Sequence, residues 1–115
     1  MDISFKTKKL EKAFNEGRQL EAAHGAKRAQ KIRIRMSEFR AAESLQDFWP
    51  PMSPPGRCHE LTEGKRNGQL SVDVDHPYRI IFVPNHNPLP EREEGGLDWS
   101  QVIAIKIIGV EDTHG

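Results

Sequence analysis

The sequence predicts an α+β fold: two N-terminal helices packed on a mostly antiparallel sheet. Three observations predict it. Apolar residues at helical spacing are confined to the first 42 residues. Runs with period-two alternation or dense Ile and Val follow residue 56, apart from one short opening stretch. Between the two halves lies SLQDFWPPMSPPG (44–56), whose four prolines mark an irregular connection. Helices grouped ahead of strands read as α+β, not as alternating βαβ units.

The elements follow in order. DISF (2–5) alternates and reads as a short first strand. KTKKLEKAFNEG carries Leu10, Ala13 and Phe14 at helical spacing, with Gly17 placed to stop the helix. A longer helix spans Ala26 to about Ala42, where Ala29, Ile32, Met36 and Phe39 form one stripe and Lys27, Arg28, Lys31, Arg35 and Arg40 fill the rest. The link at His24-Gly25 makes the pair a helical hairpin. Phe48 and Trp49 are expected to pin the proline-rich connection to the core. RCHELT is the next strand, and EGKRNG is a tight polar loop leading into QLSVDV, with Leu70, Val72 and Val74 inward and Ser71 and Asp73 outward. DHP turns the chain into YRIIFV, forming a hairpin; residues 84–99 form a long acidic Pro/Gly loop; QVIAIKIIGV is the last strand.

At 115 residues the chain reads as one domain, 1–115, large enough for a working core. It is 36% apolar and 30% charged, with a mean hydropathy of −0.70. No apolar run approaches the roughly 20 residues that span a bilayer, and MDISFKTKKL lacks the apolar stretch of a secretory signal. The single cysteine, Cys58, excludes an internal disulfide and fits a reducing cytoplasm, so the expected localisation is cytoplasmic. Net charge is zero but unevenly spread. Residues 1–66 hold 14 Lys/Arg against 9 Asp/Glu, and residues 67–115 hold 3 against 8. The basic half keeps a polyanion ligand open; the plainer reading is a solvated helical surface.

One residue stands out. In PYRIIFV, Tyr78, Ile80 and Phe82 share one face of a strand, while Arg79 shares the other with Ile81 and Val83. A permanent cation there either reaches solvent or is met by an anion. The other polar candidates lie on strands or at their ends: His59, Lys65, Arg66, Asp112 and His114. Such a set suits RNA cleavage without metal, which needs a base for the ribose 2′-OH, an acid for the leaving oxygen and cations for the crowded phosphorane. Each also has a plainer reading. His59 suits a solvent-facing strand position, Lys65 and Arg66 are ordinary turn cations, Asp112 suits a surface ion pair with Lys106 or an N-terminal lysine, and His114 sits beside the chain end. No phosphate-cradling loop, zincin motif or cysteine pair is present, and the histidines lie too far apart for a compact metal signature; no metal or other cofactor is expected. Cys58 and His59 are adjacent, so a strand points them to opposite faces, and Cys58 reads as a small buried hydrophobe.

The run RCHELTEGKRNGQLSVDVDHPYRIIF, followed by IIGVEDTHG, resembles the RelE/ParE superfamily of toxins from bacterial toxin–antitoxin modules. It is most similar to the host-inhibition-of-growth (Hig) branch, whose relatives carry labels such as "killer suppression" and plasmid maintenance protein. The likeness covers essentially the whole chain; its specific part is H-E-L, a basic turn ending in Gly, Y-R-I-I-F and a terminal D-x-H. The resemblance implies a microbial-ribonuclease-like domain that cuts messenger RNA at the ribosome without metal. By the same matches it implies His59 as acid or base, Lys65 and Arg66 as phosphate-binding residues, Arg79 as transition-state stabiliser, and Asp112 and His114 as proton-handling residues. Thr113 stands where the family commonly has tyrosine. Implied partners are mRNA, the ribosome and a helix-turn-helix antitoxin through which alone operator DNA would be met. Two other functions stay open: inhibition of DNA gyrase, as in the ParE branch, and a non-catalytic relative that binds a regulator.

Overall fold

The computed structural model describes residues 1–112; the sequence-predicted His114, with Thr113, lies outside the described residues. The first strand, β1 (Asp2–Phe5), is followed by three helices: α1 (Lys8–Asn15), α2 (Gly17–His24) and α3 (Ala26–Ala41). The strands β2 (His59–Leu61), β3 (Gln69–Asp73), β4 (Tyr78–Pro84) and β5 (Ala104–Asp112) complete a five-stranded sheet among the described residues, in the order β1-β5-β4-β3-β2. β1 runs parallel to β5, and every other pairing is antiparallel. The protein is thus α+β with a mixed sheet. No helix among the described residues is long and apolar enough to cross a membrane.

The helical region differs from the expected hairpin. Gly17 does not end the helical stretch; it opens α2. Glu16 alone is extended (φ −103°, ψ 111°), serving as C-cap of α1 and N-cap of α2. The Thr7 side chain caps the start of α1 by accepting from Leu10 N, which satisfies one of the amides a helix start leaves without a partner. Gly25, at φ 82°, makes the turn into α3 in a conformation L-residues seldom adopt.

The α3 stripe is where the spacing put it. Ala29, Ile32, Met36 and Phe39 are buried against Leu70, Val72, Ile80, Phe82, Ile105 and Ile107 of the sheet. Phe39 meets Phe82 edge-on at 5.0 Å and Phe48 at 5.5 Å, so the proline-rich segment is indeed pinned through Phe48. Trp49 is 45% exposed and stacks edge-on against the buried Trp99, a residue of the long acidic loop. Two of the cations expected on a solvated helix face are not solvated. Arg35 donates to Asp73 O, Pro55 O and both oxygens of Glu38; Arg28 pairs with Asp75 and lies 3.6 Å over the Tyr78 ring. They fasten α3 to the β3–β4 hairpin. Ser71, expected outward, is also fully buried, although on the face turned away from the core cluster.

Register sets what shares that second face. Tyr78, Ile80 and Phe82 alternate with Arg79 and Ile81 as expected, and Ile81 is buried yet outside the core cluster. Ile81 pairs with Gly109, but Phe82 pairs with Ile107, leaving Ile108 as one extra residue in β5. This bulge exchanges the faces of everything beyond it on β5. Glu111 therefore comes opposite Arg79, while Asp112 comes opposite Tyr78.

Candidate functional site

The polar groups of the second face converge on Asp73 and Arg79, which are direct partners across β3 and β4. Arg79 Nε lies 3.3 Å from Asp73 Oδ1, and Arg57 Nε lies 2.6 Å from Asp73 Oδ2. On the far side of Arg79, Glu111 stands opposite it on β5 and accepts from Arg66 Nη2 at 2.8 Å. The result is a row of alternating charge across the sheet: Arg57, Asp73, Arg79, Glu111, Arg66. Opposite charges on facing strands stabilise the pairing and restrain the side chains.

His59 lies beside this row, in register with Ser71 and through it with Ile81. Its Nδ1 is 2.7 Å from the carbonyl oxygen of Arg57, and its Nε2 is 3.4 Å from Arg79 Nη1. A carbonyl only accepts, so Nδ1 carries the proton and the neutral ring presents a lone pair at Nε2. That fixes one tautomer and aims the acceptor nitrogen at the guanidinium.

Two devices hold the row in place. Arg35, only 11% exposed, grips the backbone of Asp73 and of Pro55, near the segment that carries Arg57. At the hairpin turn Arg28 bonds Asp75; that hydrogen bond holds the Asp75 carboxyl below its usual range and raises the Arg28 guanidinium further. Close by, His24 is held below 6.5, first by burial and then by the Arg28 charge.

The sequence candidates separate accordingly. His59 and Arg79 are brought together, and Arg66 joins them through Glu111. Lys65 is exposed in the turn Gly64–Arg66. Register puts Asp112 opposite Tyr78 at the end of β5, and the carboxylate opposite Arg79 is Glu111. Cys58 is buried in the core, and burial pushes its thiol up to about 12, which leaves no thiolate for nucleophilic work. Among the described residues no group of three or more His, Cys, Asp or Glu side chains is placed to hold a metal ion. The sequence reading missed Arg57, Asp73 and Glu111 as members of the site. A signal existed for Asp73, because residues equally spaced about the turn at His76 face each other. None existed for Arg57, which lies outside the strands with φ 51°.

A scan against protein-family models found no match to the chain, and a search of curated proteins found no matching sequence.

Proposed function

We propose that this chain is the toxin of a type II toxin–antitoxin pair and that it cuts messenger RNA by 2′-OH attack without a metal ion. In this reading the sheet with its helices on one side is a RelE/ParE-like, microbial-ribonuclease-like domain of the Hig branch. The observation that carries the reading is the His59–Arg79 contact: a lone-pair imidazole nitrogen 3.4 Å from a guanidinium, with the ring's other nitrogen tied to Arg57 O. This is the base-and-cation half of the chemistry. The 2′-oxygen bonds to phosphorus as its proton passes to His59 Nε2. Arg79 offers a planar fork to the phosphorane oxygens as charge accumulates on them. The P–O5′ bond then breaks, and O5′ takes a proton, leaving a 2′,3′-cyclic phosphate and a 5′-hydroxyl. The resemblance gives Asp112 and His114 as the proton-handling residues for that step, His114 lying outside the described residues.

The partners proposed with this reading are a cognate helix-turn-helix antitoxin, mRNA on the ribosome, and operator DNA through the antitoxin alone, all in the cytoplasm. The test is induced expression followed by growth measurement and mapping of RNA 5′ ends. Arrest with early cleavage of translated messages, relieved by Arg79→Ala and by His59→Ala, is the expected result. Toxicity unchanged by both substitutions sinks the mechanism. Induction of the DNA-damage response while messages stay intact would point to gyrase instead.

A further inference from the structure

We propose that Asp73 is the positioning residue of this site and that Arg57 is its second phosphate-binding cation; both roles rest on the ribonuclease reading. Each Asp73 oxygen faces a different guanidinium through Nε: Arg57 at 2.6 Å from Oδ2 and Arg79 at 3.3 Å from Oδ1. Asp73 Oδ1 is fully enclosed and has no aligned hydrogen bond among the described residues, so the Arg79 charge is what compensates it. Arg57, held at its Nε by Asp73, can turn its Nη edge to a planar anion.

Arg57 is suited to meet that anion first. Its side chain is 44% exposed, whereas that of Arg79 is 11% exposed. Its backbone sits at φ 51°, in the left-handed region that side-chain-bearing residues avoid, and such conformations gather where function requires them. The same residue's carbonyl orients the His59 ring. One left-handed residue thus aims the base through its carbonyl and a phosphate ligand through its side chain. Asp73 locks that ligand to Arg79. A carboxylate in the midst of an anion site must weaken phosphate binding, so its presence has to be compensated by orientation.

The roles predict a split between affinity and rate. In the full chain, Asp73→Asn removes the charge and keeps the shape. Binding of an uncleavable 2′-O-methyl RNA oligonucleotide is expected to stay level or tighten by up to about fivefold, the scale of one partly screened ion pair. Single-turnover cleavage on translating ribosomes is expected to fall by about 100-fold, the scale of a misplaced catalytic group. The Nε–H NMR resonances of Arg57 and Arg79 are expected to move together. An unchanged rate, affinity falling in step with rate, or unmoved resonances would each overturn the Asp73 role. The resonances decide the point even if the wild-type chain cuts no RNA, an outcome that removes the ribonuclease reading alone. Arg57→Ala, which also serves if Asp73→Asn does not fold, is expected to weaken oligonucleotide binding and to make the salt dependence shallower by about one phosphate contact. Unaltered affinity in that variant overturns the Arg57 role.

Discussion

Replacing Arg35 by Met tests whether α3 holds the site strand in place. Methionine keeps an apolar stem of similar reach and removes the whole guanidinium. The carbonyls of Asp73 and Pro55 lose donors at 2.8 and 3.3 Å, and Glu38 loses contacts at 3.0 and 3.1 Å. The half-buried bond to the Asp73 carbonyl contributes about 1–1.5 kcal/mol, as a hydrogen bond from a charged donor, and the exposed bond to the Pro55 carbonyl about 0.5 kcal/mol. Glu38 is 31% exposed and rehydrates on losing its partner, so its pair adds only about 0.5 kcal/mol. The expected loss is about 2 kcal/mol, or about 8 °C in Tm for a domain of this size. Thermal and urea denaturation measure it. Arg40→Met, on an exposed position of the same helix, is the control and should stay within about 0.5 kcal/mol. A loss below about 1 kcal/mol for Arg35→Met, or one no larger than the control, refutes the claim that this arginine is a fastening.

Three further outcomes are expected. Acidification from about pH 7 to about pH 3 should lower the urea midpoint through two groups of the same sign. The Asp75 carboxyl is held below 3.8, first by the hydrogen bond from Arg28, so its contribution is whole above that value and disappears as pH falls through the lower folded value; Arg28→Ala should flatten this part of the curve. Burial holds His24 below 6.5, so the neutral ring suits the fold and its share of stability is lost as pH falls through that depressed value; a His24→Gln variant should be flatter there. Gly109→Ala should stabilise by about 0.5–1 kcal/mol, because a glycine constrained in a strand costs unfolded-chain entropy. An added Cβ meets no atom within 4 Å and the backbone is not left-handed, so a destabilised variant in urea titration would contradict this account. Alkylation of Cys58 at neutral pH should track global unfolding, since its thiol is buried and titrates at about 12; labelling of the native protein at the rate of a free thiol would refute it.

Much of the fold was legible because apolar periodicity reports burial directly. The α3 stripe, the core face of β3 and the placement of Arg79 on the opposite face from Ile80 and Phe82 all follow from it. The break between α1 and α2 was not legible. Glycine after Asn15-Glu16 carries the usual signature of a helix stop, and only the buried Leu20 beyond it shows the chain turning helical again. That Glu111 stands opposite Arg79 was not legible for a different reason. Without a bulge, alternation counted from Ile107 would bring Asp112 to Arg79's face; the extra residue Ile108 shifts the parity and substitutes Glu111. Composition carries no mark of a single-residue bulge.

On the proposed ribonuclease reading, the alternating row also explains how a chain of zero net charge would offer an anion site. Summed over Arg57, Asp73, Arg79, Glu111 and Arg66, three cations meet two carboxylates, a local balance of only +1. Such a row attracts polyanions weakly at a distance, because each field is cancelled within a few ångströms by its neighbour. At contact the situation reverses. Each guanidinium is already aligned, so a phosphate that fits loses little entropy in orienting its ligands, whereas one that sits askew must compete with Asp73 and Glu111. On the ribonuclease reading, selectivity for a correctly presented backbone follows from that competition, and an excess of lysines would work against it by rewarding any nucleic acid alike.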